Sequence, residues 1–122
     1  MKEKTMNEFP GFMRNPLNRI DPDSQYTKGI EGFVFDGVDG SQMAFWTYKE
    51  NATSSGHEHP YEEYIIVVQG QYNLFIGGDV IPLRVGDEYV IPPKTVHSGE
   101  VFAGTRAIYA FGGIRAKRVQ TI

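Results

Sequence analysis

Residues 56–63 read Gly56-His57-Glu58-His59-Pro60-Tyr61-Glu62-Glu63, and the apolar run Ile65-Ile66-Val67-Val68 follows, with Gly70 shortly after. In extended backbone, side chains two apart project to one face, so His57 and His59 present two imidazoles to a common point. Pro60 biases the residue before it toward extended φ/ψ, which holds His59 in the conformation a chelate needs. Glu63 stands four positions after His59 and reaches the same point once the chain bends at Pro60. The third histidine, His97, comes 38 positions after His59, across two expected hairpin turns. An antiparallel sheet folds such a separation back on itself. A lone histidine is most often a hydrogen-bonded core residue or an ordinary surface one. Here all three histidines of the chain fall in two turn-flanked segments, with a carboxylate at a workable spacing and no cysteine to favour a softer ion.

Outward from this stretch, 14 glycines and 7 prolines punctuate the whole length and leave segments too short for stable helices. Strands are expected at 31–38, 41–48, 62–69, 71–76, 80–83, 88–91, 98–102 and 105–111, all rich in Val, Ile, Phe, Tyr and Thr. Asp39-Gly40, Gly77-Gly78-Asp79 and Gly86-Asp87 supply the residues that tight reversals require. No segment carries a capped stripe of 3.6-residue period, so helix is minor. The expectation is an all-β chain, either a sandwich or a barrel. Residues 1–30 differ in texture: Pro10, Pro16 and Pro22 alternate with apolar Phe9, Phe12, Met13, Leu17 and Ile20. They read as an irregular N-terminal arm that covers the outside of the barrel or reaches across to a second subunit, and a homodimer is expected. The barrel domain is placed at 31–114. Residues 115–122, with Arg115, Lys117 and Arg118, read as a solvated C-terminal tail.

Composition closes off several classes of function. A chain of 122 residues, 40% hydrophobic and 13% aromatic, suffices for one domain with a core. Twelve basic against fifteen acidic residues, a net charge of −3, offer no electrostatic footprint for nucleic acid or an anionic membrane. The absence of cysteine removes disulfides, thiolate zinc sites and cysteine nucleophiles, so a metal here is held by nitrogen and oxygen. The first fifteen residues contain no apolar signal-peptide core, and no run approaches the ~20 apolar residues of a membrane span. A soluble, cytoplasmic protein with a small-molecule partner is the expectation.

The spacing resembles the two motifs of the cupin superfamily. The first motif, two histidines one residue apart, then glutamate, then glycine, is matched by His57, His59, Glu63 and Gly70. The second is matched by Gly86, Pro92 and His97. Three positions depart from the pattern: Asn51 stands for a leading glycine, Lys94 for the glycine of the second motif, and Val101 where asparagine is frequent. None is a metal ligand. Asn51 tolerates left-handed backbone, so a turn there survives, whereas Lys94 either adopts negative φ or is strained.

The resemblance implies a double-stranded antiparallel β-barrel of the jelly-roll type, with His57, His59, Glu63 and His97 holding one divalent ion, Fe, Mn, Ni or Zn. Four protein ligands leave open positions on a five- or six-coordinate ion, which is what catalysis requires. The leading reading is a small-molecule metalloenzyme that uses the ion as a Lewis acid or for dioxygen activation. Its substrate is a small anionic oxygen compound: a hydroxy acid, a diketone or a sugar-derived molecule. Tyr61, Glu62, Tyr48, Tyr109 and Arg106 are the candidates for proton transfer, and Trp46 and Phe111 supply either core or an apolar wall. The alternative is a binding or sensing module that holds metal and ligand without turnover, since one barrel hosts many functions.

Overall fold

The computed structural model describes residues 6–25, 27 and 29–119, so the parts of the expected arm and tail at 1–5, 26, 28 and 120–122 lie outside the described residues. Among the described residues, nine strands form two antiparallel sheets. They are β1 (Ile30–Asp36), β2 (Gln42–Tyr48), β3 (Ala52–Thr53), β4 (Glu63–Gln69), β5 (Gln71–Ile76), β6 (Asp79–Arg84), β7 (Glu88–Ile91), β8 (His97–Val101) and β9 (Arg106–Phe111). One sheet runs β1-β2-β9-β4-β7 and the other β3-β8-β5-β6, consistent with the jelly-roll barrel that the motif resemblance implies. Of these, β3 is the strand the residue pattern does not announce. Two residues are too few to show a period, and Ala52 and Thr53 are strand only because they pair with Val101 and Glu100.

Period-two alternation decides what faces the interior. Along β4, Glu63, Ile65 and Val67 are buried while Tyr64 and Ile66 are partly exposed. The inner residues of β2 (Ala44, Trp46, Tyr48) and β9 (Ala107, Tyr109, Phe111) join Leu74, Leu83 and Val101 of the facing sheet in one core. At the passage from one sheet to the other, Gly70 alone links β4 to β5 with φ +80°. A Cβ there would lie 2.8 Å from the backbone α-carbon of Thr105, so the corner needs glycine both for its conformation and for its space. The Gly77-Gly78 hairpin likewise carries positive φ at both residues, and pairs Ile76 with Asp79.

The described residues of both the arm and the tail pack on the barrel. The arm consists of three 3-10 turns (Gly11–Arg14, Pro16–Asn18, Pro22–Ser24). Phe9 is buried against Phe45 on the outer face of the five-stranded sheet, and Ile20 is buried beside β1. The tail departs from the expected solvated end. Arg118 bonds Asp36 Oδ2 at 2.7 Å, Val34 O at 2.6 Å and Asn18 Oδ1 at 3.0 Å, while Ala116 is buried. Residues of the two ends also pair with each other, Asp21 N donating to Lys117 O and Val119 N to Arg19 O. The cause is the guanidinium, whose several donors find acceptors on two separate segments, β1 and the arm. No helix among the described residues is long and apolar enough to cross a membrane.

Candidate metal centre

The three histidines arrive from two segments and converge between the sheets. His57 lies outside any named strand but forms an antiparallel bridge with His97, the first residue of β8. His59 precedes a bend at Pro60 and Tyr61, after which β4 begins at Glu63 with its side chain on the inner face. The candidate ligand atoms of His57, His59 and His97 all lie within 4.8 Å of one another. Glu63 Oε1 stands 3.3 Å from His59 Nε2 and 3.6 Å from His97 Nε2. His59, Glu63 and His97 are buried and His57 is half-buried.

Backbone carbonyls fix which nitrogen of the His57 and His97 rings carries a proton. His57 Nδ1 is 2.8 Å from Ser55 O and His97 Nδ1 is 2.9 Å from Thr95 O, and a carbonyl only accepts, so each Nδ1 carries the hydrogen. In the neutral ring the Nε2 lone pair then faces the interior. His59 is arranged alike. Tyr61 donates its hydroxyl to Ile114 O at 3.5 Å and stacks on the His59 ring at 5.0 Å, leaving its oxygen, 3.4 Å from His59 Nδ1, to accept. Gly113 makes this stacking possible, since a Cβ there would overlap the Tyr61 ring.

Electrostatics pull the groups of the centre in different directions. Burial opposes ionisation of Glu63, but its contacts with His59 and His97 outweigh burial and bring its pKa down to about 2. Burial lowers His57 to about 4 against the opposing effect of the Ser55 carbonyl, so it is neutral at pH 7. For His97 burial also works against the charged form, yet the carboxylate of Glu63 raises its pKa on balance. His97 Nε2 is wholly enclosed and makes no close hydrogen bond among the described residues. Lone pairs of imidazole and carboxylate facing one another at this range repel unless a proton or a cation lies among them. Three imidazoles and one carboxylate, with second nitrogens bonded outward to oxygen, form a donor set that suits a divalent ion of borderline hardness.

The remaining candidates separate into two groups. Tyr48 and Tyr109 line a small cavity, about 20 Å³, next to His57 and Glu63, and their hydroxyls are 2.6 Å apart. Tyr61 lies at the edge of the centre, against His59. Glu62 is exposed, with its backbone carbonyl accepting from Gly112 N, and is not part of the cavity wall. Arg106 is on the opposite face of β9, where it donates to Gln69 Oε1 at 2.7 Å and Met6 O at 2.5 Å and covers the Phe9 ring. Trp46 belongs to the core and to the cavity wall at once, and Phe111 meets His59 edge-on.

Arg115 was not among the candidates, and it lines the cavity. Its guanidinium lies 5.3 Å from the Trp46 ring and 5.9 Å from the Phe111 ring. The sequence carries no signal for this position, because the chain bends at Gly112-Gly113, where many directions are open. The motif departures also resolve. Lys94 keeps the left-handed conformation at φ 59° and donates its N–H to His59 O at 2.7 Å. Asn51 is not left-handed; its side chain accepts from Ala103 N at 2.7 Å and closes the loop by a hydrogen bond. Val101 is buried in the core.

The family model of the cupin domain matches residues 44–107, more than half of the chain. The chain belongs to the cupin family. Among solved structures, this cupin is similar to an RmlC-like cupin from Shewanella frigidimarina, with a TM-score of 0.70, 18% identity, and 93% and 94% of the two chains covered. It is also similar to KdgF from Halomonas sp. (TM-score 0.62, 19% identity, 83% and 94% covered). A cupin-like protein from Thermotoga maritima gives a TM-score of 0.63 at 20% identity, with 84% of each chain covered. At these identities the likeness is one of fold. No curated protein matches the chain.

Proposed function

We propose that this cupin is a small-molecule metalloenzyme whose centre is one divalent ion held by His57, His59, His97 and Glu63. The observation that carries the reading is the convergence of three inward Nε2 atoms on a buried, ionised carboxylate, with each Nδ1 bonded to oxygen. When bound, such an ion supplies Lewis acidity toward a carbonyl or enolate oxygen, or a place for dioxygen beside a chelated substrate. The protein's own part is to keep the imidazoles aimed, to offset part of the ion's charge through Glu63, and to exclude bulk water behind Trp46 and Tyr109. One carboxylate leaves a divalent centre net positive, which favours a small anionic oxygen substrate such as a hydroxy acid, a diketone or a sugar-derived acid.

The second reading, a binding or sensing module, is favoured by the size of the cavity, which at about 20 Å³ holds little more than one water molecule. Metal analysis of protein purified without a nickel column tests the centre itself: stoichiometric Fe, Mn, Ni or Zn is expected, and neither metal nor chelator-sensitive stability would overturn it. Turnover separates the two readings. A tight ligand recovered chemically unchanged after long incubation with loaded protein selects the binder. We further propose that the protein is a homodimer.

A further inference from the structure

We propose that Arg115 and the Tyr48–Tyr109 pair form an oxygen clamp in the wall of the cavity that His57 and Glu63 also line, so that the ligand is a small carboxylate with a second oxygen on the neighbouring carbon. The inference rests on the metal-centre reading and assigns its ligand class. Among the described residues, Arg115 brings the one Lys or Arg cation of the cavity wall, and it is held over Trp46 and Phe111, as a guanidinium prefers. Its five donors can serve a carboxylate in parallel with any protein contact it keeps.

The tyrosines contribute a donor by proton counting. Tyr48 and Tyr109 are both buried, and their oxygens are 2.6 Å apart, so one phenolic hydrogen lies between them. The second hydrogen is available to a further acceptor. Burial raises both phenols well above their ordinary pKa, and the neighbouring Glu63 charge adds to that, so both hydrogens are present at neutral pH. A cavity of about 20 Å³ holds little more than one water molecule, so only the oxygen atoms at the tip of a ligand enter it. A head that satisfies cation, phenol and metal together is a carboxylate next to a hydroxyl or carbonyl. A neutral diol or amide leaves the guanidinium without its anion and gains less.

The test is calorimetric titration of Mn(II)-loaded protein with glycolate and pyruvate, against glycolamide as the uncharged analogue, with metal content measured on the same samples. Glycolate and pyruvate are expected to bind, and glycolamide much more weakly. Arg115→Gln should weaken glycolate by about 10- to 100-fold while leaving glycolamide nearly unchanged, and Arg115→Lys should recover part of the loss. Tyr48→Phe and Tyr109→Phe should each weaken pyruvate by roughly 5- to 10-fold at unchanged metal content. Equal loss of charged and uncharged probes in Arg115→Gln would mark general damage and overturn the clamp. Loaded protein that binds neither acid overturns the clamp and keeps the metal centre. Protein that takes up no metal yet binds glycolate through Arg115 keeps the clamp and overturns the metal centre, and protein that binds neither metal nor acid overturns both.

Discussion

His57 and His97 exchange both backbone hydrogen bonds, His57 N to His97 O at 3.0 Å and His97 N to His57 O at 2.9 Å, as directly opposed residues of an antiparallel pair. Their rings consequently stand on one face with centroids 4.3 Å apart. The pairing is made by backbone and survives loss of either side chain. His97→Ala is therefore expected to keep the fold while lowering metal affinity by ~100-fold or more, at least the loss seen when a mere supporting partner of a ligand is removed. Metal content and the melting temperature in chelator, measured together, check it. Unchanged metal occupancy would make His97 an ordinary core residue.

Lys94 holds a left-handed conformation that costs a residue with a Cβ roughly 1–2 kcal/mol. Its N–H bond to His59 O is indifferent to the side chain. Lys94→Gly should stabilise the protein by about 0.5–1 kcal/mol in denaturant titration, net of the greater freedom of glycine in the unfolded chain.

Gly70 gives the opposite result. Gly70→Ala places a methyl against the side chain and the backbone of Thr105, in a conformation alanine resists. A destabilisation of roughly 2–4 kcal/mol is expected. Shortening the neighbour with Thr105→Ser should not restore stability, because the clash with the Thr105 main chain and the left-handed backbone at residue 70 both remain.

In metal-free protein, Glu63 links stability to acid. Its pKa is about 2 in the folded state against an ordinary 4.5, so the unfolded chain takes up the proton first as pH falls. The stabilisation is complete above pH 4.5 and is lost as pH drops toward 2. Glu63→Gln should remove this component, and the difference in unfolding free energy between the two proteins should shrink over that window. A difference that stays constant from about pH 6 to about 2.5 would contradict the assignment.

The outer face of the five-stranded sheet leaves Met43 and Val90 about half exposed, and the arm adds Phe12 and Leu17. A second copy covering this face would bury them. Light scattering at micromolar concentration should give twice the chain mass, and Met43→Lys should shift the equilibrium toward monomer. A monomer in the unsubstituted protein would refute the homodimer.

Much of the centre was legible because spacing converts directly into position. Two-residue periodicity puts His57 near His59, and antiparallel return brings His97 opposite. The same periodicity already separates Glu62 from Glu63, and Arg106 from Tyr109, since each pair differs by an odd number and falls on opposite faces. Arg115 was hidden for a different reason. Its place depends on the direction the chain takes after Gly112-Gly113, and the two glycines permit many. Arg118 was read as solvated because its acceptors, Val34 O and Asp36, become neighbours only once the barrel has closed.

The lacing of the two chain ends along β1 bears on how the protein is handled. β1 is an outer strand of its sheet, and an uncovered outer strand is an invitation to pair with any passing chain. Arg19 pairs with Phe33 of that strand, and Ile20 pairs in turn with Arg118. The two ends thus act as a selvedge, the bound margin that keeps a fabric from fraying. A shortened version trimmed to the nine strands would keep every inward-facing ligand yet present raw edge to solution, and its failure in expression would be one of aggregation, not of chemistry.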